Sequence, residues 1–295
     1  MSRSADLQAC EDCVPPADAF ALVGEEMRLS ILEALWRIET PARFSDVREA
    51  VGVRDSAHFN YHLGKLLGSF VRKTDAGYEL RTAGERVVQA ILAGSFTEHP
   101  ERDLAIDDPC MRCGEPLAAR YADEVLTIAC PACGHGHGEY PFPPGGLHDR
   151  TDAEILQAFD QRVRHLHCLA KDGVCPECNG RMETTIVRGD ECCLGTGLRA
   201  DHTCLQCGHT RCSTIGLGLL DHSTVASFYA AHGRSLSDVP YWQLPWCVDD
   251  AAVTVLDEDP WRFRVDVTLD DETLRAVVDG GLDVLETTIE RTTAV

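Results

Sequence analysis

Four Cys-x2-Cys pairs constrain this 295-residue chain more than any other feature. Cys110-x2-Cys113 is followed after sixteen residues by Cys130-x2-Cys133, and Cys175-x2-Cys178 after twenty-five residues by Cys204-x2-Cys207. A Cys-x2-Cys turn offers two thiolates from one tight knuckle, and the Gly after the second Cys in "CPACGH" and "CLQCGH" lets backbone amides approach the sulfur. Two knuckles on facing hairpins complete a tetrahedral four-sulfur set. The spacing therefore predicts two zinc ribbons holding two structural Zn2+ ions, with an iron–sulfur cluster as the alternative occupant. Each array supplies four protein thiolates and leaves no coordination position for water, so these sites are expected to stabilise rather than catalyse. A structural zinc ion contributes roughly 10–16 kcal/mol of binding free energy, enough to fold a segment with little core of its own.

The other cysteines read differently. Cys10-x2-Cys13 is a half-site, either two idle thiols in a tail or ligands shared with another chain or a spare Cys. Cys168, Cys192, Cys193, Cys212 and Cys247 lack ligand spacing, and most are expected to be small buried side chains, with the vicinal Cys192–Cys193 pair open to oxidation. His135 and His137 follow a knuckle that already has enough sulfur, and are expected not to be ligands. No apolar run reaches the ~18 residues of a membrane span, and the N-terminus has no apolar core of a secretory signal. A cytoplasmic protein without membrane contact is expected.

A chain of this length implies two or three compact units. Phe20, Val23, Met27, Ile31, Leu35 and Ile38 recur at helical spacing over residues 18 to 38. "FSDVREAVG" is a second, short helix with Ser45 as N-cap and Gly52 as its stop. "DSAHFNYHLGKLLG", residues 55 to 68, is a third, capped by Asp55 or Ser56, with Phe59, Leu63, Leu66 and Leu67 on its buried side. A hairpin around Asp75-Ala76-Gly77 follows, and then a helix from the capping box Thr82–Glu85 with the stripe Val87, Val88, Ile91 and Leu92. That order is the order of a winged helix-turn-helix.

The expected fold class is α+β. It comprises the winged helix-turn-helix at 18–96, zinc ribbon 1 at 106–145, a connecting helix at 151–172, zinc ribbon 2 at 173–212, and a C-terminal α+β domain at 213–295. The connecting helix opens on the capping box Thr151–Glu154, with Ile155, Leu156, Phe159, Val163 and Leu166 inward. In the last domain Asp221 should cap a helix that stops at Gly233. Phe263, Val265, Val267 and Leu269 should share one face of a small antiparallel sheet, with a hairpin turn in "VVDGGLDV".

The net charge is −21, and only three of the 27 basic residues are Lys (Lys65, Lys73, Lys171). Such an acid-rich, Lys-poor composition resembles proteins of halophilic archaea, whose carboxylates keep the surface hydrated in molar salt. An acidic total argues against nucleic acid as a partner, so its distribution matters. Residues 18 to 96 hold 11 acidic and 10 basic side chains, a net of −1, whereas residues 97 to 295 hold −18. The segment with the third helix is spared the negative charge that phosphates would repel.

Residues up to 96 resemble the winged-helix domains of ArsR-like transcription regulators. "LVGEEMRLSILEAL" is similar to that family's first long helix, and "FSDVREAVGVRDSAHFNYHLGKLLGSFVRK" to its helix-turn-helix running into the wing. His62-Leu63 matches the His-Leu pair of the family's recognition helix, with Ala57, His58, Asn60 and Tyr61 before it. Tyr61 stands where the family carries Arg, and the family's metal-sensing Cys pair is missing. The whole layout is similar to regulators of halophilic archaea. The resemblance implies double-stranded DNA as partner.

The side chains fit that role. Asn pairs bidentately with adenine, and His and Tyr donate or accept at base edges. Ser56, Ala57, His58, Asn60 and Tyr61 would face bases, and Lys65 a phosphate. Arg72 and Lys73 on the wing would reach the backbone or minor groove. Each neutralised phosphate costs about 0.9 log units of affinity per log of salt, so a helix rich in His, Asn and Tyr suits molar salt better than a cationic one. The Val/Ile stripe of the helix at 82 to 94 is the candidate homodimer surface.

Catalytic signatures such as G-x-S-x-G, H-E-x-x-H or a phosphate loop are absent, and no enzyme is expected. Two other readings compete. One is an adaptor contacting the transcription machinery, like the archaeal general transcription factor E, which also joins a winged helix to a zinc ribbon. The other is a thiol or metal sensor.

Overall fold

The periodic stretch from residue 18 to 38 is two helices. In the computed structural model, which describes residues 14–189 and 196–291, the chain breaks at Gly24 into α1 (Pro16–Val23) and α2 (Glu26–Arg37). Glu25 turns extended there, and its carboxylate accepts the Arg28 N–H at 3.2 Å as the cap of α2. The apolar spacing runs on in phase across the break, which is why periodicity alone merges the two. Cys10, Cys13, Cys192 and Cys193 lie outside the described residues.

α3 (Phe44–Val51) starts earlier than a Ser45 cap would place it. Arg43 holds the cap position, its N–H donating to the Asp46 carboxylate at 3.3 Å, and Ser45 bonds the same carboxylate. Gly52, at φ 78°, stops the helix as expected. α4 (Ser56–Leu66) is capped by Asp55, whose carboxylate accepts N–H bonds from Ala57 at 2.9 Å and His58 at 3.1 Å. The His58 N–H, then that of Ala57, hold the Asp55 carboxyl below its ordinary value. A lowered folded-state value means the cap acts above the ordinary aspartate range and fades as pH falls through the depressed one. Amide exchange at Ala57 and His58 is therefore expected to speed up in acid ahead of the helix centre, and Asp55→Asn to remove that pH dependence.

β1 (Val71–Lys73) and β2 (Tyr78–Leu80) form an antiparallel hairpin, and α5 (Thr82–Leu92) follows. Thr82 is the first residue of α5, not its cap; the Glu85 N–H goes to the Arg81 carbonyl, so the expected box does not form. The core of this unit is Ile31, Leu32, Leu35, Val47, Phe59, Leu63, Leu66 and Val88, with the Phe44 ring edge-on to Phe59 at 5.0 Å. Full burial of such side chains contributes about 1.5–3 kcal/mol each. Leu67, 38% exposed, and Phe20, 76% exposed, lie outside that core, contrary to the helical-face reading.

The chain separates into two compact units at residues 98 and 99. In the second, β3 (Arg102–Leu104), β4 (Ala118–Ala122), β5 (Val125–Ala129) and β6 (Gly136–Pro141) form an antiparallel sheet in sequence order. β3 lies between the expected winged helix-turn-helix and zinc ribbon 1, where no strand is expected. The 20-residue α6 (Asp152–Lys171) carries its capping box as expected, Thr151 and Glu154 bonding reciprocally at 2.8 and 3.4 Å. All five of its predicted inward residues are buried. β7 (Met182–Arg188), β8 (Leu198–Cys204) and β9 (Thr210–Ser213) form a second antiparallel sheet.

α7 (Ser223–Ala231) has His222, not Asp221, in the cap position, and ends at Gly233 with φ 68°. After the short α8 (Pro245–Val248) come β10 (Val253–Glu258), β11 (Trp261–Leu269), β12 (Glu272–Asp279) and β13 (Val284–Arg291), an antiparallel meander. Phe263, Val265, Val267 and Leu269 share its buried face, and Asp279 closes the predicted turn by accepting the Gly281 and Asp283 N–H groups.

The segments read as four modules share one core. Tyr121, Leu126 and Ile128 from the first sheet, Phe159 from α6, Leu198 and Ala200 from β8, Trp242 and Trp246, and Phe263 from the last sheet belong to a single buried cluster. Polar ties cross the same boundaries, with Trp242 Nε1 donating to Asp108 at 2.7 Å and the Tyr241 N–H to Asp160 at 2.7 Å. No helix among the described residues is long and apolar enough to cross a membrane.

Candidate metal centres and nucleic-acid surface

The structure brings together both predicted sulfur sets. Cys110, Cys113, Cys130 and Cys133 place their sulfur atoms within 4.8 Å of one another, as do Cys175, Cys178, Cys204 and Cys207. The pairs Cys110–Cys133 and Cys113–Cys130 lie 3.8 and 3.5 Å apart, and Cys175–Cys207 and Cys178–Cys204 lie 3.8 and 3.6 Å apart. Thiolates held tetrahedrally at ~2.3 Å from a central ion would be about 3.8 Å apart. The separations fit that cage and are far too long for disulfides. Either set could hold a metal ion.

All four knuckles repeat one backbone design. The N–H of the residue after the second cysteine bonds the carbonyl of the first: Gly114 to Cys110, Gly134 to Cys130, Asn179 to Cys175, Gly208 to Cys204, at 2.9–3.1 Å. Each of those residues is left-handed, with φ between 60° and 79°, a conformation that Gly and Asn adopt at least cost. Gly180 needs its missing side chain for another reason. A Cβ there would fall 2.7 Å from Gln206 and 3.1 Å from two ligand sulfurs, Cys178 and Cys204.

The electrostatics of the sulfur nests call for a cation. The Cys133 N–H is the main influence holding Cys130 at about 7, against burial. At Cys113 the Glu115 N–H pulls downward, but burial and the three neighbouring thiols push it up to about 12. The second nest repeats the contrast. Burial opposes ionisation of Cys204, yet the Cys207 and Gln206 N–H groups bring it to about 7. Cys178 is drawn down by the Gly180 N–H but pushed up to about 12 by Cys207, burial and the other thiols. In each nest one thiolate forms readily while a neighbouring thiol, Cys113 or Cys178, is pushed the other way. A divalent ion removes that conflict.

The two histidines after the second knuckle stay out of the sulfur sets. His137, 2% exposed, lies with Nε2 3.3 Å from the Cys110 sulfur, an outer-shell contact that orients a ligand. His135 Nε2 donates to the Val248 carbonyl at 2.9 Å. Cys247 is fully buried, where desolvation pushes its thiol far up, in line with the expectation of an inert side chain. Cys168 and Cys212 are only half-buried.

On α4 the sequence-predicted contact residues all fall on the exposed surface: Ser56, Ala57, His58, Asn60, Tyr61 and Lys65, while Phe59, His62, Leu63 and Leu66 are buried behind them. At 3.6 residues per turn the exposed set sweeps roughly 200° of the helix. Lys65 lies 5.5 Å over the Tyr61 ring. The hairpin cations are exposed but engaged. Arg72 pairs with Glu79 at 2.6 Å, and Lys73 lies 5.7 Å over the Tyr78 ring.

Two groups behind this surface were not singled out by sequence reasoning for the part they play. His62 Nδ1 approaches the Glu25 carboxylate at 3.0 Å, close enough for an ion pair though not aligned as a hydrogen bond, and His62 Nε2 meets His58 Nε2 at 3.0 Å. One nitrogen of that pair donates and the other accepts, so His58 is oriented through His62 from the cap of α2. The i,i+4 spacing of the two histidines was the available signal; the Glu25 contact bridges 37 residues and left none.

A family model described as a domain of unknown function, DUF7351, matches residues 107–284, and another, DUF7347, matches residues 16–91. No curated protein and no solved structure matches the chain.

Proposed function

The chain belongs to the DUF7351 family, and we propose that it is a sequence-specific DNA-binding transcription regulator whose larger unit is built on two structural zinc ions. The observation that carries the DNA reading is the outward face of α4. His58, Asn60 and Tyr61 are exposed together on a helix anchored from behind by Phe59, Leu63 and Leu66. The order α2, α3, α4, hairpin and α5, and the resemblance to ArsR-like regulators, support reading residues 18–96 as a winged helix-turn-helix with α4 in the major groove. Asn60 then pairs with an adenine edge, His58 and Tyr61 contact neighbouring bases, and Lys65 contacts a phosphate.

The zinc reading rests on the donor set. Four thiolates in a closed tetrahedron favour zinc over the oxygen-seeking magnesium and calcium, and a colourless protein would separate zinc from an iron–sulfur cluster. The ion cross-links two knuckles of each set and supplies no reactive position.

Losing one bidentate base contact costs about 1–3 kcal/mol. Asn60→Ala is therefore expected to weaken operator binding at least several-fold and to relax preference at one base pair, with the fold unchanged because Asn60 is exposed. The salt dependence should be shallow, since Lys65 is the one Lys or Arg on α4 and Arg72 of the wing is already paired with Glu79. A log–log slope near −10 would contradict this. The Arg72–Glu79 pair also favours the second reading, an adaptor touching the transcription machinery, which predicts no sequence preference at all.

Homodimerisation through the end of α5 completes the proposal; the Val stripe itself is taken up inside the unit, Val88 lying in its core and Val87 packing against it. Leu92 is 53% and Phe96 73% exposed at the end of that helix. Sedimentation of the whole protein is expected to give a dimer that Leu92→Glu with Phe96→Glu dissociates.

A further inference from the structure

β9 carries a charge on its inner side. Its alternation turns Thr210 out and Arg211 and Ser213 in. Ser213 is matched there, its hydroxyl meeting His202 Nε2 at 3.0 Å. Arg211 is not. It is 8% exposed, forms no ion pair among the described residues, and its Nε has no hydrogen-bond partner. Its remaining neighbours are His209, 3.4 Å from Nη2, and the Tyr140 ring, whose centre lies 5.4 Å from the guanidinium carbon. Burial outweighs the attraction of the exposed Glu177 carboxylate, which makes no ion pair with it, and pulls its pKa down. Position makes the contrast sharper. Arg211 stands four residues past the last cysteine of its ribbon, as His137 does in the first, but His137 has a cysteine sulfur to bond and Arg211 has none.

Arg211 lines a cleft of about 170 Å³ between β6 and β9, together with Tyr140, His209, Thr210 and Glu139. The wall behind it is fixed. The Tyr140 hydroxyl bonds His167 Nε2 at 2.7 Å, and the Tyr140 ring packs against Phe159 and Tyr241. Deep burial keeps His167 neutral. Arg162, held by the Pro141 carbonyl at 3.0 Å, adds positive charge near the guanidinium. The nearby carboxylates of Glu139 and Glu177 are exposed and unpaired with Arg211.

We propose that this cleft binds a small free oxyanion of the phosphate class, anchored by the Arg211 guanidinium with Thr210 as a hydroxyl donor at the rim. A guanidinium presents parallel N–H groups matched to two oxygens of such an ion, and its sheltered position strengthens the attraction. On a chain of net charge −21 the long-range field repels anions, so capture depends on a local, recessed cation. A duplex backbone cannot follow an ion into a recess of this size. The site is independent of the DNA reading.

Isothermal titration of the full-length, metal-loaded protein with inorganic phosphate at constant chloride tests it. Wild type is expected to bind one equivalent saturably, Arg211→Met to lose at least tenfold in affinity, and Glu139→Gln to bind no more weakly than wild type. Arg211→Met should keep two metal equivalents and be no less heat-stable than anion-free wild type, since it removes an unmatched buried charge. If Arg211→Met fails to fold, Arg211→Lys serves, keeping the charge but losing the fork, with a smaller loss expected. Four outcomes would overturn the proposal: no saturable binding below about 1 mM, affinity unchanged in the Arg211 variants, equal competition by chloride, or binding of a DNA oligonucleotide without binding of phosphate.

Discussion

If both sulfur sets hold a metal ion as proposed, chelation is expected to unfold the larger compact unit while residues 14–98 keep their helices. The helical unit has its own core and, among its described residues, no sulfur set. In the larger unit, Cys110 and Cys130 are themselves members of the shared buried cluster, and the knuckles they anchor fix the ends of β4, β5 and β6. The second set holds a small separate cluster of Ala170, Cys175, Met182 and Cys204, too little apolar surface to stay folded alone. A structural zinc would contribute roughly 10–16 kcal/mol of binding free energy against net domain stabilities of about 5–15 kcal/mol, so on the proposed reading either ion would decide whether its sheet exists. Cys175→Ser should leave one metal equivalent and melt β7–β9 first. Cys110→Ser should leave one equivalent and loosen the whole cluster. Circular dichroism melts alongside metal analysis read both. Unchanged melting after complete metal removal would show that the sulfur sets are not structural sites.

Asp160→Ala is expected to cost about 3–5 kcal/mol, among the largest losses from any single change outside the metal ligands. Asp160 and Arg164 are 4% and 6% exposed and pair at 2.8 Å on adjacent turns of α6. The other Asp160 oxygen accepts the Tyr241 N–H at 2.7 Å, and Arg164 donates to the Val239 carbonyl at 2.5 Å, so the pair ties α6 to the segment carrying Trp242. Removing the carboxylate strands a buried guanidinium and an amide together. Asp160→Leu with Arg164→Met removes both charges and should recover most of the loss. Urea denaturation of the three proteins checks this. A double variant as unstable as the single one would mean that the backbone bonds, not the charge, hold the junction.

What the sequence discloses depends on how local the cause is. Both sulfur sets were legible because a knuckle is a four-residue event and pairs in sequence order. α6 was legible because its capping box and its apolar stripe agree. Caps placed on Ser45, Thr82 and Asp221 were misplaced by one or two residues, since several adjacent residues can serve and the packing of the helix chooses among them. β3 is three residues in a charged stretch, with only Leu104 buried to mark it. The merging of four segments into one core was not legible, because alternation in "ARYADEVLTIA" shows which side chains turn inward but not what they meet. The stretch "PYWQLPWCV" carries Tyr241, Trp242 and Trp246 at the centre of that core on short helical turns with no periodicity to read. On α4 the exposed residues followed from helical phase, whereas the link from Glu25 through His62 to His58 depends on tertiary approach.

The most direct measurement of the central claim is a selection of random duplex DNA on the zinc-loaded protein, followed by mobility shift of the enriched sequence. A recovered motif, bound by wild type and weakened by Asn60→Ala and Tyr61→Ala while Leu256→Ala elsewhere on the surface leaves it unchanged, is the expected result. Failure to enrich any motif at low and molar salt, or a motif bound equally well by the α4 variants, would contradict α4 as a base-reading helix.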